Sequence, residues 1–494
     1  MSIVSESKLG VDYVTLNSTF GSVKGFINRD YPNVAQFLGI PFAEPPIGPR
    51  RWLPPTPKAP VDSIDATKFG LSCPQQLGGR LSVYNTDVTE HQIRDETSED
   101  CLSLCIWAPK DAVKEGLKKL PVIVFITGGA FLVGGSTIPY QNPTPWIENS
   151  KRHIVVSINY RLNVFGFPNA AGLCPNERNL GFLDQRLGLE WVHQHIASFG
   201  GDPSRMTHFG QSAGARSIDC HAFLHPDKPL VRNLILHSGC ALPPLPVSDP
   251  GCTHFSALAR ALGFPGGDAA AELEFMRQQP PQELLEAIQH HWATEEKPFL
   301  SFRPVTGKQY PYFGSNLSSL TDLNKPAICG TMNDEGNSVA VYHPDGADPF
   351  WAEKITKDYF LGPMVAMARI AANDLLDDRV RSAHAPTFRF LLKDFAPAGI
   401  SSFPNISPRL WLRAYHSSDM PLIFGTHDWT RGPSTSLEEK VSRVWQDLYV
   451  AFAEEGPDGL RKMGWNDTSE GVGIVLGCGE KGWKTVSLEE IDNR

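Results

Sequence analysis

Six short apolar runs, Val122–Ile126, Ile154–Ile158, Met206–Phe209, Leu234–Leu236, Ala327–Thr331 and Thr387–Leu392, are close to uninterrupted rather than alternating. A strand with one wet face alternates apolar and polar residues; a strand covered on both faces need not. These runs therefore predict a mainly parallel sheet between layers of helix. The segments between them agree. From Leu180 to Ser198, residues Leu183, Leu187, Leu189, Trp191, Val192 and Ile196 fall at helical spacing. Strand–helix alternation over 494 residues, with no repeat, low-complexity tract or evident linker, points to an α/β fold organised as a single domain over 1–494.

One of these runs leads into chemistry. Met206-Thr207-His208-Phe209 continues as Gly210-Gln211-Ser212-Ala213-Gly214 and then as a helix-compatible stretch to Phe223. A Gly-x-Ser-x-Gly pattern alone is short enough to arise by chance. Between a strand and a helix it is what a nucleophile elbow requires, because glycines remove Cβ atoms where the two backbones crowd and leave the serine hydroxyl exposed at a sharp turn. Ser212 is the candidate nucleophile. Such a serine needs donors for the oxyanion that forms on attack. Upstream, the run ending at Ile126 is followed by Thr127-Gly128-Gly129-Ala130-Phe131. The backbone N–H groups of Gly129, Ala130 and Ala213 are the candidate donors, against the plainer reading of an ordinary glycine-rich turn.

Composition narrows the partners. The formal net charge of −9 disfavours nucleic acid, which needs a basic face, and an anionic membrane surface. No apolar run approaches the ~18–20 residues of a membrane span. The opening MSIVSESKLGVDY lacks a basic region followed by an apolar one, so no secretory signal is expected in this chain. Nine dispersed cysteines without a Cys-x-x-Cys argue against a zinc or thioredoxin-like site, and no metal or cofactor is expected. What remains as an expected partner is a small molecule; oligomeric state is left open.

Further motifs occur in order along the chain: FLGIPFAEPPIGPRRWLPP (Phe37–Pro55), EDCLSLCIWAP (Glu99–Pro109), NYRL (Asn159–Leu162), NLGFLDQRLGLEWVHQHIASFGGDPSRMTHFGQSAGA and HSG (His237–Gly239). Together they resemble the type-B carboxylesterase family, which includes carboxylesterases, fungal lipases and cholinesterases. The resemblance covers most of the chain and is strongest before residue 240. It implies the α/β-hydrolase fold, with a central mostly parallel sheet, helices on both faces, and inserted loops and helices forming a cap over an active-site gorge. It implies a serine carboxylic ester hydrolase working through an acyl-enzyme, with the triad order Ser…acid…His. GTMNDEG (Gly330–Gly336) resembles the acid-bearing segment and AYHSSD (Ala414–Asp419) the base-bearing one, so Ser212, Glu335 and His416 are the implied triad. His343, His384 and His427 also follow Glu335, and spacing alone does not separate them from His416.

The resemblance also implies a disulfide between Cys73 and Cys101, and bracing ion pairs Arg51–Glu99 and Arg161–Asp184. A family second disulfide is unmatched, with Phe264 and Met276 near its expected positions; whether Cys240 and Cys252 pair instead stays open. Three positions depart from the family pattern. Thr127 replaces an aromatic residue or histidine, Ala130 a third glycine, and Gln211 a frequent glutamate. Ala130 would keep its N–H available if its φ stayed negative. The loop from Pro74 to Asp100 has no tryptophan, and its apolar residues (Leu77, Leu81, Val83, Tyr84, Val88) are scattered among charges. Neither a quaternary ammonium site nor a lipase lid is expected, and the substrate expected is a neutral, apolar carboxylic ester. An acyl-transfer or lactone-forming or lactone-opening enzyme with the same triad is the alternative, and a catalytically dead binding or adhesion protein of the same fold a further one.

Overall fold

The computed structural model describes residues 2–6, 10–76, 78, 81–115, 119–225, 228–242, 249, 251–305, 325–371, 386–396 and 401–493. Its centre is seven parallel strands in the spatial order 154–158, 120–126, 201–211, 233–237, 327–332, 387–392 and 472–476. Antiparallel strands extend both edges. Strand Ser103–Pro109 pairs with Ile154–Ile158 and leads outward through Val34–Pro41, Gly21–Asn28 and Val11–Ser18. On the far edge Trp483–Ser487 closes against Val472–Leu476.

The apolar runs are continuous because both faces are covered. In Leu120–Ile126, Val122, Val124 and Ile126 enter one core while Ile123 and Phe125 enter another on the opposite face. Ile154, Val156 and Ile158 divide from Val155 in the same way. Helix Leu180–His195 covers the first face, through Leu180, Leu189 and Val192. Helix Ser436–Glu455 covers the second, through Trp445, Leu448, Tyr449 and Phe452. It starts at a reciprocal cap, where Thr435 Oγ1 accepts from the Glu438 N–H and Glu438 accepts from the Thr435 N–H.

Two ion pairs brace the segments around the sheet, one beside the antiparallel strands and one between the end of strand Ile154–Ile158 and helix Leu180–His195. Arg51 donates to both carboxylate oxygens of Glu99, at 2.6 and 2.5 Å. Arg161 does the same to Asp184, at 2.8 and 2.7 Å. All four side chains are buried, so the braces implied by the resemblance are present. The Cys73–Cys101 bridge is not formed in this structure, where all nine cysteines are free thiols. The two sulfurs are nonetheless neighbours: a hydrogen bond to Cys73, then burial, raises the Cys101 thiol well above its ordinary pKa. Cys240 and Cys252 do not meet; Cys240 faces Asp219 and Arg216, Cys252 faces Asn169 and Arg178.

Candidate active site

Strand Gly201–Gln211 ends against helix Ala213–Leu224 with a single residue, Ser212, between them. Ser212 has φ 57° and ψ −120°, a conformation that L-residues seldom adopt and that needs outside support. The glycines on either side supply room. A Cβ on Gly210 would lie 2.4 Å from the carbonyl carbon of Gly214, and one on Gly214 would lie 2.0 Å from the Ile126 oxygen. The next strand supplies the tether, with the Ser212 N–H donating to the His237 carbonyl at 2.7 Å.

Glu335 lies just past strand Ala327–Met332 and is fully buried. Its Oε1 accepts the Met332 N–H at 2.8 Å, and its Oε2 faces His416 Nδ1 at 2.6 Å. A carboxylate there holds the proton on Nδ1 and leaves the Nε2 lone pair outward. His416 is fixed from two more sides. The Tyr84 hydroxyl donates to its carbonyl at 2.8 Å, and the Phe360 ring lies tilted over the imidazole with centroids 4.6 Å apart. Phe360 belongs to a π-helical turn, Thr356–Leu361, an irregularity often found at functional sites. The other histidines are elsewhere. His343 is exposed near Asp345, His427 bonds Ser434, and His384 lies outside the described residues.

The Nε2 face holds a feature that sequence reasoning missed. Gln211 Nε2 lies 3.2 Å from His416 Nε2 and donates to Ser417 Oγ at 2.8 Å. Gln211, read from sequence only as a missing charge, thus holds the imidazole atom that a serine hydroxyl would use. Among the described residues Ser212 Oγ has no hydrogen bond of its own.

The glycine-rich loop is also stranger than expected. Gly129, Ala130 and Phe131 all have positive φ, at 107°, 57° and 64°. The expectation of negative φ at Ala130 fails, and the hydrogen bonds give the reason. The Gly129 carbonyl accepts from the Leu132 and Val133 N–H groups, Phe131 O from Asn163 N–H, and Ala130 O from Arg303 Nε at 3.1 Å. The planar trans peptide that joins Gly129 to Ala130 aims the Ala130 N–H opposite to the bonded Gly129 carbonyl. No hydrogen bond to a protein acceptor engages the N–H of Gly129, Ala130 or Ala213 among the described residues. Ala213 opens a twelve-residue helix, whose first N–H groups lack intrahelical partners and whose dipole favours negative charge.

Residues 81–100 form a wall behind this site. Val83 and Val88 are buried against Leu412 and Tyr415, and Tyr84 reaches His416. Leu77 lies outside the described residues. Burial pushes the His91 imidazole in this wall down to about 3, so it stays neutral. Exposed apolar side chains occur elsewhere, at Val341, Phe350, Trp351 and Tyr359 in the segment after Glu335. Among the described residues no cluster of metal-ligating side chains occurs, and no helix is long and apolar enough to cross a membrane.

Comparison with known proteins gives the family and the fold. The sequence model of the Carboxylesterase family matches residues 12–360. The chain is 37% identical over 481 residues to secreted lipase 5 of Gibberella zeae, covering 92% of this chain and 87% of that protein. It is 36% identical to chlorogenic acid esterase of Aspergillus niger, covering 89% and 82% respectively. Among solved structures it resembles a thermophilic PNB esterase with a TM-score of 0.77 and 25% identity, over 97% of this chain and 99% of that one.

Proposed function

Since the chain belongs to the carboxylesterase family and is a carboxylic ester hydrolase of the α/β-hydrolase fold, we propose that its reaction runs through Ser212, His416 and Glu335. The substrate ester enters with its carbonyl oxygen against the N–H groups of Gly129, Ala130 and Ala213. Gln211 releases Nε2 and the Ser212 hydroxyl takes its place. Ser212 Oγ attacks the carbonyl carbon as Nε2 accepts the hydroxyl proton. Glu335, on Nδ1, keeps the imidazole in the accepting tautomer and stabilises the imidazolium. Three preorganised N–H donors stabilise the developing oxyanion, each worth about 10²–10³ in rate in comparable sites. The intermediate collapses, the alcohol departs with the proton from Nε2, and an acyl ester remains on Ser212. Water then attacks that ester as Nε2 takes its proton, and the carboxylic acid leaves with Ser212 restored.

The observation that carries this reading is the pairing of Ser212, held at positive φ at the elbow, with a buried Glu335–His416 hydrogen bond of 2.6 Å. The substrate has an apolar body and no quaternary ammonium, because the loop 74–100 offers no tryptophan and Gln211 no charge. A fluorophosphonate probe tests the nucleophile. Wild-type protein is expected to be labelled on the peptide containing Ser212, with ester hydrolysis lost in proportion. Labelling elsewhere, or hydrolysis by Ser212→Ala above a few per cent, removes Ser212 from the reaction.

A further inference from the structure

The segments that carry the acid and the base meet at the hydroxyl of one tyrosine. Tyr84 stands in a single helical turn, Val83–Thr86, of the wall formed by residues 81–100. That turn starts at a reciprocal cap: the Ser82 N–H donates to Asn85 Oδ1 at 2.8 Å, and the Asn85 N–H to Ser82 Oγ at 3.3 Å. Just beyond it, Asp87 Oδ1 accepts from Arg409 Nε at 2.7 Å and the Asp87 carbonyl from Arg431 Nη2 at 3.0 Å. Glu90 pairs with the same Arg431 at 2.9 Å. The turn is thereby fastened to the stretch between Arg409 and Arg431, which contains His416.

The phenol joins this stretch to the acid. Its one proton goes to the His416 carbonyl, 2.8 Å away. Its oxygen lies 3.0 Å from the Oγ of Ser338, three residues after Glu335, and with the phenol proton committed the serine is the donor. The Ser417 hydroxyl is placed to donate to the same oxygen. Ser417 Oγ in turn accepts from Gln211 Nε2, the amide beside His416 Nε2. Burial raises the Tyr84 pKa, so the phenol keeps the proton it donates. Two details make this oxygen a fixing point rather than one polar contact among many. Among the described residues no other hydrogen bond engages the backbone of His416. The next residue, Ser417, has φ 74°, a conformation that a non-glycine residue holds only where its surroundings impose it. Asn337 also joins the two segments, donating to the Trp411 carbonyl at 2.8 Å, but it does so five residues before His416.

We propose that Tyr84 is a positioning residue for the base. This rests on the reaction assigned above and adds to it a residue from outside the triad. By holding the His416 carbonyl against the segment of Glu335, the phenol sets the point from which the imidazole extends, and so how far Nε2 stands from Ser212 Oγ. The wall therefore stays in place through turnover, because a wall that swung open as a lid would take this bond with it.

Tyr84→Phe tests this, since it removes one oxygen and keeps the ring. Fluorophosphonate titration counts the working sites in each preparation, and kcat for 4-nitrophenyl butyrate is expressed per titrated site. That kcat is expected to fall about 10–100-fold with KM within about twofold, the size of loss that about 1 Å of misplacement brings. In a His416→Ala background the same substitution is expected to cost nothing further, because a group that acts only through His416 has nothing left to position. A wild-type kcat per titrated site in Tyr84→Phe overturns the proposal, as does an equal further loss in the His416→Ala background. Should Tyr84→Phe fail to fold, Ser82→Ala removes the cap of the turn that carries Tyr84 and is read in the same way. A fall of about threefold or more in kcat per site at unchanged KM supports the positioning role, and an unchanged kcat overturns it. Fluorophosphonate labelling of wild-type protein and its loss in Ser212→Ala test the nucleophile alone, so the two readings fail separately.

Discussion

Asp184→Asn is expected to destabilise this protein far more than the loss of any surface ion pair, and burial decides the difference. Asp184 is fully buried and accepts three hydrogen bonds, from Arg161 N at 3.0 Å, Nε at 2.8 Å and Nη2 at 2.7 Å. Asparagine keeps the shape and one acceptor, so no cavity forms and the change isolates the charge. What remains is a buried guanidinium with a neutral partner and one further acceptor, the Leu53 carbonyl. Removing one member of a buried pair costs about 3–5 kcal/mol, and the retained acceptor points to the lower end. Unfolding entropy of about 2.1 cal/mol/K per residue makes roughly 1 kcal/mol per degree for a chain of this size. The expected fall in Tm is therefore about 3 °C by differential scanning calorimetry at fixed scan rate, and insensitive to salt. Arg29–Asp12, at 3.2 Å but with side chains 44% and 30% exposed, is the control. Asp12→Asn is expected to cost well under about 1 kcal/mol. Equal shifts for the two variants would refute the reasoning, because distance alone would then set the cost.

His416→Ala is expected to lower ester turnover nearly as far as Ser212→Ala, and Glu335→Gln by less, since groups acting as a unit give non-additive losses; kcat for 4-nitrophenyl butyrate measures all three. Ala130→Gly is expected to leave stability within about 1 kcal/mol, because relief at positive φ offsets the greater freedom of the unfolded chain, whereas Ala130→Val, β-branched at the same φ, lowers kcat; a Val variant as active as wild type places the donors elsewhere. Protein made under oxidising conditions is expected to yield a Cys73–Cys101 linked peptide on non-reducing mapping, and two alkylated thiols would exclude the bridge. Butyrylthiocholine is expected to be cleaved with much lower kcat/KM than a neutral thioester of similar size, and equal values would show a cation site absent from this reading.

The six apolar runs are all strands in the structure, because burial on both faces leaves a signature that no surface element shares. The N-terminal strands lack a continuous apolar run: Gly21–Asn28 buries every other residue, following Val23 and Ile27. Helix Ser436–Glu455 carries a local sign of its start in the Thr435 and Glu438 cap. The site divides along the same line. Ser212 is legible because an elbow is local: strand, glycines and helix are consecutive. Glu335 and His416 are 81 positions apart and meet only in three dimensions. Nothing in their spacing prefers His416 over His427, and only ordered resemblance does. The positive φ of Ala130 was illegible, since it depends on Asn163 and Arg303 drawing carbonyls inward from distant segments. The amide of Gln211 was equally hidden, because a rotamer is not written in a residue type.

The strained elbow and the parallel sheet are one arrangement seen from two sides. Strands that run parallel end together, so the loops after them converge at one edge. Here the strand ending at Ile126 leads into the glycine-rich loop, the one ending at Gln211 into Ser212, and the one ending at Met332 into Glu335. The strand ending at His237 supplies the carbonyl that holds the Ser212 N–H. The His237 ring then turns away from the site and bridges Asp419 and Tyr449, all three buried. Asp419 stands three residues after His416, so this bridge ties the loop of His416 to the strand that steadies Ser212. A serine at φ 57° persists because its neighbours on both sides of the sheet are fixed before any substrate arrives.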